Sequence, residues 1–368
     1  MAYADKCYVG KRVKLDLLSQ DDVRQIHEAT LDVIEDCGVK FHSQNALDIL
    51  EAHGATVDRE TTVAKIPAHV VEKAMSTAPH EYTLGARNPE YDLPLDGEHV
   101  YISSDGCGVF YRDPVTGDVR SSRKEDLANC AKVVQALDNV SATSAVVSAQ
   151  DCPTETRVLH EFDACVRNSE KHSIVVSIKE DWEARSLIRM AEAMAGGKEE
   201  LKKRPMFTTI ICTVSPLHQE RYGMDLALTL AEAGIPVSFY PMPILGATGP
   251  ITIAGSAVVN NAEFLSGATL VQLAHPGAPG LLADDEERAP LREREVGPGR
   301  GLGQRARGEP HGPDHDPLEL GDCVRCVHPE IIARSLPTGY HHGTTPPPPT
   351  RAKTSSLPVA AASFLTAC

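Results

Sequence analysis

The chain has 368 residues, of which 42% are hydrophobic, and a formal net charge of −15 at pH 7. This length allows one large barrel or two to three ordinary domains, and the charge argues against a general affinity for nucleic acids or anionic membranes. No apolar run approaches the roughly 20 residues of a membrane helix, and the first residues lack the apolar segment of a signal peptide. We therefore expect a soluble, cytoplasmic protein that binds neither nucleic acid nor membrane.

The N-terminal part is predicted to contain three helices followed by strands and turns. The predicted helices cover residues 19–38, 43–53 and 67–78. Ser19 fits an N-cap and Gly38 a helix end. Residues 81–120 have the pattern of strands, with a hairpin that turns at residues 113–117. We assign residues 1–120 to an N-terminal helical and β-hairpin region.

Residues 121–283 alternate between strands and helices. The predicted strands are 144–149, 172–178, 206–214 and 235–242, and they lead into helices at 154–168, 181–195, 219–233 and 252–274. The strands are short and nearly continuously apolar, as in a parallel sheet covered on both faces. A doubly wound sheet would also fit. We favour a TIM (β/α)8 barrel, because polar residues follow each strand at its carboxyl end. With about four βα units, the predicted barrel is incomplete.

The composition changes after residue 283. The chain has 13 Lys and 13 Arg up to that point, and 1 Lys, 9 Arg and 12 of the 26 prolines in residues 284–368. Such a segment buries too little apolar surface to fold, so we predict a disordered Pro/Gly/Arg-rich tail. A shifted reading frame would explain this composition, and a natural tail is the alternative. Cys323 and Cys326 lie in it without the two further ligands of a structural zinc site, so we expect no metal.

The stretch "GATGPITIAG", residues 246–255, follows the fourth predicted strand. Its glycines do not have the spacing of a phosphate-binding or dinucleotide-binding loop. We therefore predict that it is a βα loop at the carboxyl end of the sheet, where Pro250 opens the next helix.

Four segments of the chain resemble the trimethylamine methyltransferase family, the MttB-like proteins. They are "IHEATLDVIEDCGVKF" (26–41), "VDRETTVAKIPAHVVEKAMSTAP" (57–79), "RDPVTGDVRSSRKEDL" (112–127) and "GATGPITIAGSAVVNNAEFLSGATLVQLAHPGAP" (246–279). The resemblance extends over about residues 18–279 in the expected order. The residues after about 279 do not resemble the family, and a frameshift or a truncation would explain this.

The resemblance implies a TIM barrel that transfers a methyl group from a tertiary or quaternary amine, of the methylamine or betaine type, to the Co(I) of a corrinoid protein. The implied partners are that cognate corrinoid protein and a small amine. The chain itself would bind no cofactor, and a homo-oligomer is left open. Founding members carry pyrrolysine in the later half of the barrel, where this chain no longer resembles them. Because the predicted barrel is incomplete, we expect this chain to lack activity.

An amine cation favours an acidic or aromatic lining. The candidate substrate-binding residues are Gln150, Asp151, Tyr240, Gly246, Thr248 and Gly249, and no catalytic residue is assigned. Asp151 could instead cap the helix at 154–168, Tyr240 could belong to the core, and Thr248 could only stabilise its turn. Two other functions remain: a non-catalytic fragment that binds an amine or a partner, and a TIM-barrel enzyme with a phosphorylated substrate. The lack of a basic anion-binding motif beside "GATGP" argues against the latter.

Overall fold

The computed structural model describes residues 18–96, 99, 101–280 and 366–367. The predicted tail, with Cys323 and Cys326, therefore lies outside the described residues, apart from a short strand at its end. Within the described ranges, no helix is both long and apolar enough to span a membrane.

Between residues 18 and 75, the structure contains three helices and three short strands. They are α1 (Gln20–Asp32), which continues as a π-helical turn (Val33–Cys37), β1 (Val39–Phe41), α2 (Gln44–Ala52), β2 (Thr56–Asp58), β3 (Val63–Lys65) and α3 (Ala68–Met75). Ser19 caps α1 by accepting a 3.2 Å hydrogen bond from the Asp22 amide. Gly38, with φ 79°, turns the chain after the helix. Both predicted helix ends are thus confirmed.

Two hairpins follow in the chain. The first consists of β4 (Tyr82–Leu84), a 3-10 turn (Pro89–Tyr91) and β5 (Leu93–Leu95), and the second of β7 (Phe110–Arg112) and β8 (Val119–Ser121). In the second, Asp113 Oδ1 accepts the amides of Val115 and Thr116 at 2.8 and 3.1 Å. The hairpin and its turn are therefore as predicted.

The main sheet has five parallel strands in the part of the chain that the structure describes. They are β6 (Ile102–Ser103), β9 (Ala142–Ser144), β10 (His172–Val175), β11 (Phe207–Cys212) and β13 (Val237–Tyr240). Neighbours in this order pair with one another, and β14 (Thr366–Ala367) joins the free side of β6 in the antiparallel sense. The sheet curls into a half barrel. A parallel bridge from Val237 to Gly280 continues it beyond β13.

The first predicted strand is displaced, and β6 was not predicted. The strand expected at 144–149 runs over Ala142–Ser144 instead, because the chain bends after Ser144. The Val146 amide turns back to Ser144 O at 2.9 Å, and Val146 O accepts the Gly108 amide at 3.1 Å. Strand β6 has only two residues, which are too few for a sequence pattern to predict a strand.

The helices cover the outer face of the sheet. They are α4 (Lys124–Ala136), α5 (Arg157–Asn168), α6 (Asp181–Ala195), α7 (Lys198–Lys203), α8 (Arg221–Glu232) and α9 (Ile253–Ala274). A two-residue strand, β12 (His218–Gln219), precedes α8 and pairs with β1 in parallel. Helix α9 contacts β13 and α8 and also all three N-terminal helices, so it is buried along most of its length.

Alternating side chains divide the sheet into two faces. Val175, Ile211 and Phe239 belong to the large outer core between sheet and helices. Ile174 and Ile210 lie on the concave face, in a smaller cluster with residues of β4 and β5. We call this cluster, at the amino ends of the strands, the floor. The loops that follow the parallel strands at their carboxyl ends are called the mouth.

Candidate functional site

Neighbouring strands place Cys212 and Tyr240 side by side at the mouth. They are register partners at the ends of β11 and β13. Because Ile211 and Phe239 point into the outer core, Cys212 and Tyr240 face the concave side. Cys212 is exposed and Tyr240 partly so. The aromatic residue predicted from sequence thus lies on the face where a ligand of the half barrel would bind.

Gln150 and Asp151 lie in the loop after β9. The Gln150 amide donates to Ser122 O at 3.2 Å and to Ser148 O at 3.0 Å. Asp151 Oδ1 accepts the Lys124 amide at 2.8 Å, so it caps α4 rather than the helix that follows it. Their roles in substrate binding stay predictions.

The "GATGP" stretch forms a tight βα loop between β13 and α9, as predicted. The prediction that Pro250 opens the helix is wrong, because α9 begins at Ile253 with Thr252 as its N-cap. Gly246 has φ 75°, and its amide donates to Gly249 O at 2.9 Å. Thr248 Oγ1 accepts the Ile244 amide at 2.8 Å and so stabilises the turn. A Cβ on Gly249 would lie 2.9 Å from Ser256 Oγ, which explains the glycine at that position. Substrate contacts by these three residues stay predictions.

Three described residues at the mouth, Cys107, Ser177 and Leu217, have left-handed backbones although none is glycine. Cys107 follows β6 with φ 70°, and Ser177 follows β10 with φ 63°. The Cys107 Sγ and Ser177 Oγ atoms are 3.6 Å apart. Burial raises the pKa of the Cys107 thiol, and the hydrogen bond with Ser177 offsets this only in part, so the thiol is protonated at neutral pH. Backbone strain of this kind is concentrated at functional sites.

Four buried carboxylates anchor the loops of the mouth, and sequence reasoning did not assign them. They are Asp126, Glu161, Glu183 and Glu263. Asp126 Oδ2 accepts the Arg123 amide at 2.9 Å and also pairs with Arg120. Glu183 Oε2 accepts the amides of Lys179 and Glu180 at 2.7 and 3.1 Å.

The other two carboxylates lie deeper along their helices. Glu161 Oε1 accepts the Ser148 hydroxyl at 2.7 Å and the Ala149 amide at 2.9 Å. Glu263 is fully buried and binds the loop after β11. A sequence signal existed for it, because Glu263 is the one charged residue in α9.

Burial raises the pKa of Glu263, and the hydrogen bonds that it accepts offset this only in part. Within the described ranges, neither Glu161, Glu183 nor Glu263 has a Lys or Arg within ion-pair distance. The hydrogen bonds that these three residues accept come from backbone amides and hydroxyl groups, and their carboxylates favour a negative potential at the mouth.

An exposed apolar rim surrounds the mouth. Ile251 is 82% exposed, and Met242 and Ile244 in the same loop are about half exposed. Val214 after β11 and Phe110 after β6 are exposed as well. Exposed apolar residues near a candidate site are typical of a surface that binds another molecule.

A cavity of about 530 Å³ lies elsewhere, on the outer side of the helices. Trp182, Arg185 and Arg189 of α6 line it together with Thr229 and Glu232 of α8. It contains none of the predicted site residues, and we do not assign the candidate site to it.

The fold is that of an α/β protein with a curled parallel sheet, and the mouth at the carboxyl ends of its strands is the candidate ligand site. The family described as trimethylamine methyltransferase (MTTB) matches residues 4–292. The trimethylamine methyltransferase MttB of Desulfitobacterium hafniense is 37% identical over 263 residues, which cover 72% of this chain and 53% of that protein. The chain belongs to the trimethylamine methyltransferase family.

Two further comparisons describe its relatives. The glycine betaine methyltransferase of D. hafniense strain Y51 is 28% identical over 280 residues, covering 76% of this chain and 58% of that protein. The monomethylamine methyltransferase structure from Methanosarcina barkeri aligns with a TM-score of 0.40 and 13% identity, over 76% of this chain and 62% of that one. The chain spans about half the length of the curated relatives it matches.

Proposed function

We propose that this chain forms the substrate-binding half of a TIM-barrel methyltransferase, which works in the cytoplasm. The enzyme transfers a methyl group from a tertiary or quaternary amine to the Co(I) of a corrinoid protein. The observation that carries the proposal is the mouth of the half barrel, where buried carboxylates without Lys or Arg partners accompany Tyr240. Such a site attracts a cation, and the relatives are named for amines that are cationic at neutral pH.

In this reaction the protein itself does not need to supply the nucleophile. The C–N bond breaks, its electron pair stays on nitrogen as the amine leaves, and the methyl group is taken up by the two-electron nucleophile, Co(I), that the partner's corrinoid supplies. This chain must therefore bind the amine, orient its methyl group and exclude water. The face of Tyr240 suits the ammonium group through a cation–π contact.

The apolar rim supports a protein partner at the mouth. The corrinoid must reach the methyl group closely, so its carrier has to cover the loops after β11 and β13. Ile251 and Met242 are exposed there and provide apolar area for such a contact.

Amine binding tests the substrate half of the proposal. Calorimetric titration with tetramethylammonium should show binding that Tyr240→Ala weakens by about tenfold or more, as expected for the loss of a desolvated cation–π contact. Tyr240→Phe, which keeps the ring, and Tyr222→Ala, which removes an exposed tyrosine on α8, should bind like the native chain. Equal binding by all variants would contradict the assignment of Tyr240.

Methyl transfer tests the other half. Loss of Co(I) absorbance after adding trimethylamine or glycine betaine to the chain and a reduced corrinoid protein would support the complete reaction. Amine binding without any loss of Co(I) would favour the alternative of a non-catalytic amine-binding chain. Tight binding of inorganic phosphate at the mouth would instead favour a phosphorylated substrate, although the buried carboxylates disfavour it.

A further inference from the structure

The four buried carboxylates of the mouth fall into two kinds. Asp126 and Glu183 are the third residues of α4 and α6 and complete capping boxes at those helix ends. Helix capping accounts for both. Glu161 and Glu263 are the fifth residue of α5 and the eleventh of α9. Capping does not explain them, and both reach out of their helix to a loop of the mouth.

Glu263 holds the loop that follows β11. Its Oε2 accepts hydroxyl hydrogen bonds from Thr213, which is very close, and from Ser215 at 2.9 Å, and its Oε1 accepts the Leu217 amide at 2.9 Å. Leu217 has φ 58°. The loop closes on itself through paired backbone hydrogen bonds between Val214 and His218 at 2.9 and 3.1 Å.

This loop begins directly after Cys212, the register partner of Tyr240. The position of Glu263 therefore fixes the end of β11 next to the residue that we assign to the amine. An exposed loop with a left-handed residue would otherwise have several conformations available.

Glu161 does the same for the loop after β9. It binds Ser148 and Ala149, the two residues that precede the candidate residue Gln150. Glu161 is 5% exposed, and its carboxylate is held by a hydroxyl and an amide without an ion pair in the described part of the chain.

We propose that Glu161 and Glu263 are positioning residues of the amine site, which hold the loops after β9 and β11 so that Gln150 and the Cys212–Tyr240 pair face the bound cation. The inference rests on the proposed function for the identity of the ligand. Neither residue needs to contact the amine, and their effect passes through the loops. A carboxylate suits this task at Glu263 because three donors converge on it and it offers only acceptors.

The test compares Glu161→Leu and Glu263→Leu with the isosteric Glu161→Gln and Glu263→Gln. Gln135→Leu is the matched control, because Gln135 Oε1 also accepts a hydroxyl and an amide, from Ser169 at 3.1 Å and from Glu170 at 2.8 Å, but it does so at the floor. The first measurement is amide hydrogen exchange in the native chain and each variant. The second is the affinity for tetramethylammonium.

In the Leu variants at 161 and 263, we expect the amides of Ala149 and Leu217, respectively, to exchange at least about tenfold faster, as for the loss of a hydrogen bond to a charged group. Amides within β10 and β11 should keep their rates. Tetramethylammonium should bind about tenfold more weakly. The Gln variants, which retain an acceptor, should restore loop protection and most of the affinity. Gln135→Leu should leave the affinity unchanged.

Unchanged exchange of the two loop amides in the Leu variants would overturn the proposal. Equal losses of amine affinity in all three Leu variants, including Gln135→Leu, would also overturn it, because they would show a general loss of structure. If a Leu variant does not fold, a Gln variant that loses loop protection but keeps its full affinity for the amine would contradict the proposal. Failure of the native chain to bind any amine would refute the proposed function, while the exchange measurement would still decide whether these carboxylates hold the loops.

Discussion

The floor and the mouth of the half barrel both contain buried charged side chains, and the charges have opposite signs. At the floor, the buried Lys171 donates from Nζ to Val134 O, Leu137 O and Val140 O at 2.8, 2.7 and 2.6 Å. At the mouth, buried carboxylates accept backbone amides and hydroxyls. In both regions backbone dipoles stabilise the buried charge.

The two regions differ in what surrounds these charges. The floor is closed by β4 and β5, which are tied to the sheet by the Gly85 amide bonded to Pro205 O at 2.9 Å and by Arg204, which pairs with both oxygens of Asp92 at 2.7 Å. The mouth is open, with strained residues and an apolar rim. From this contrast we expect the floor to contribute stability, and the mouth is the site that we propose for the ligand.

The largest effect should come from Lys171→Met at the floor. It removes the ammonium donor that the carbonyls of Val134, Leu137 and Val140 share, so we expect the free energy of unfolding to fall by about 4 kcal/mol. Urea unfolding measures this. Lys132→Met, an exposed residue on the same helix, is the control and should change the free energy by less than about 0.5 kcal/mol. Similar values for the two variants would contradict a stabilising floor.

The next largest effect should be the loss of stability that His172 causes as the pH falls. Its Nδ1 donates to Gly85 O at 2.8 Å, Nε2 has no partner among the described residues, and burial lowers its pKa from 6.5 to about 4. Because the unfolded chain takes up this proton first, stability is fully present above pH 6.5 and is lost as the pH falls toward 4. The loss should be about 3 kcal/mol.

Unfolding at pH 7 and at pH 4 measures this loss. His172→Gln should show a smaller dependence on pH between these values, whereas His53→Gln, on the exposed end of α2, should behave like the native chain. A pH dependence that is unchanged in His172→Gln would refute the assignment.

At the mouth, Glu263→Gln should change the pH dependence of stability by a smaller amount and in the opposite direction. The pKa of Glu263 is raised by burial above its ordinary value of 4.5, so the folded state favours the neutral acid. The cost of ionisation is therefore absent below pH 4.5 and fully present once the pH has passed the raised pKa. Relative to the native chain, the Gln variant should gain stability from pH 4 to pH 7. A relative loss over that range would contradict this account.

The smallest effect on stability should follow Ile251→Ser in the rim. Because Ile251 is 82% exposed, the free energy of unfolding should change by less than about 0.5 kcal/mol. Docking of a corrinoid protein, measured by surface plasmon resonance, should weaken several-fold. Val133→Ser, an exposed residue on α4, should leave docking unchanged, and an equal effect of both changes would argue against the rim as the docking surface.

Local sequence signals predicted the helices and most strands well. The helix predicted at 181–195 was observed with the same bounds, and those at 219–233 and 252–274 were within two residues, because capping residues and long apolar periods are local features. Strand β6 was not predicted, because its pairing with β9 depends on residues far along the chain. The division at residues 120 and 283 stays a prediction.

The site was less accessible from sequence. Tyr240 could be proposed because it ends an apolar strand, but its neighbour Cys212 follows only from the register of β11 and β13. The roles of Glu161 and Glu263 depend on contacts 12 to 50 residues away in the chain. A lone charge in an otherwise uncharged helix, as in α9, was the one local sign of such a contact.

The central claim is that the mouth selects a small amine by its positive charge. Choline and its neutral isostere 3,3-dimethylbutan-1-ol have nearly the same shape, so a calorimetric titration of the native chain with both compounds isolates that charge. We predict that choline binds at least about tenfold more tightly, since cation–π and carboxylate attraction act on it alone. Equal affinities for the two compounds would contradict the claim.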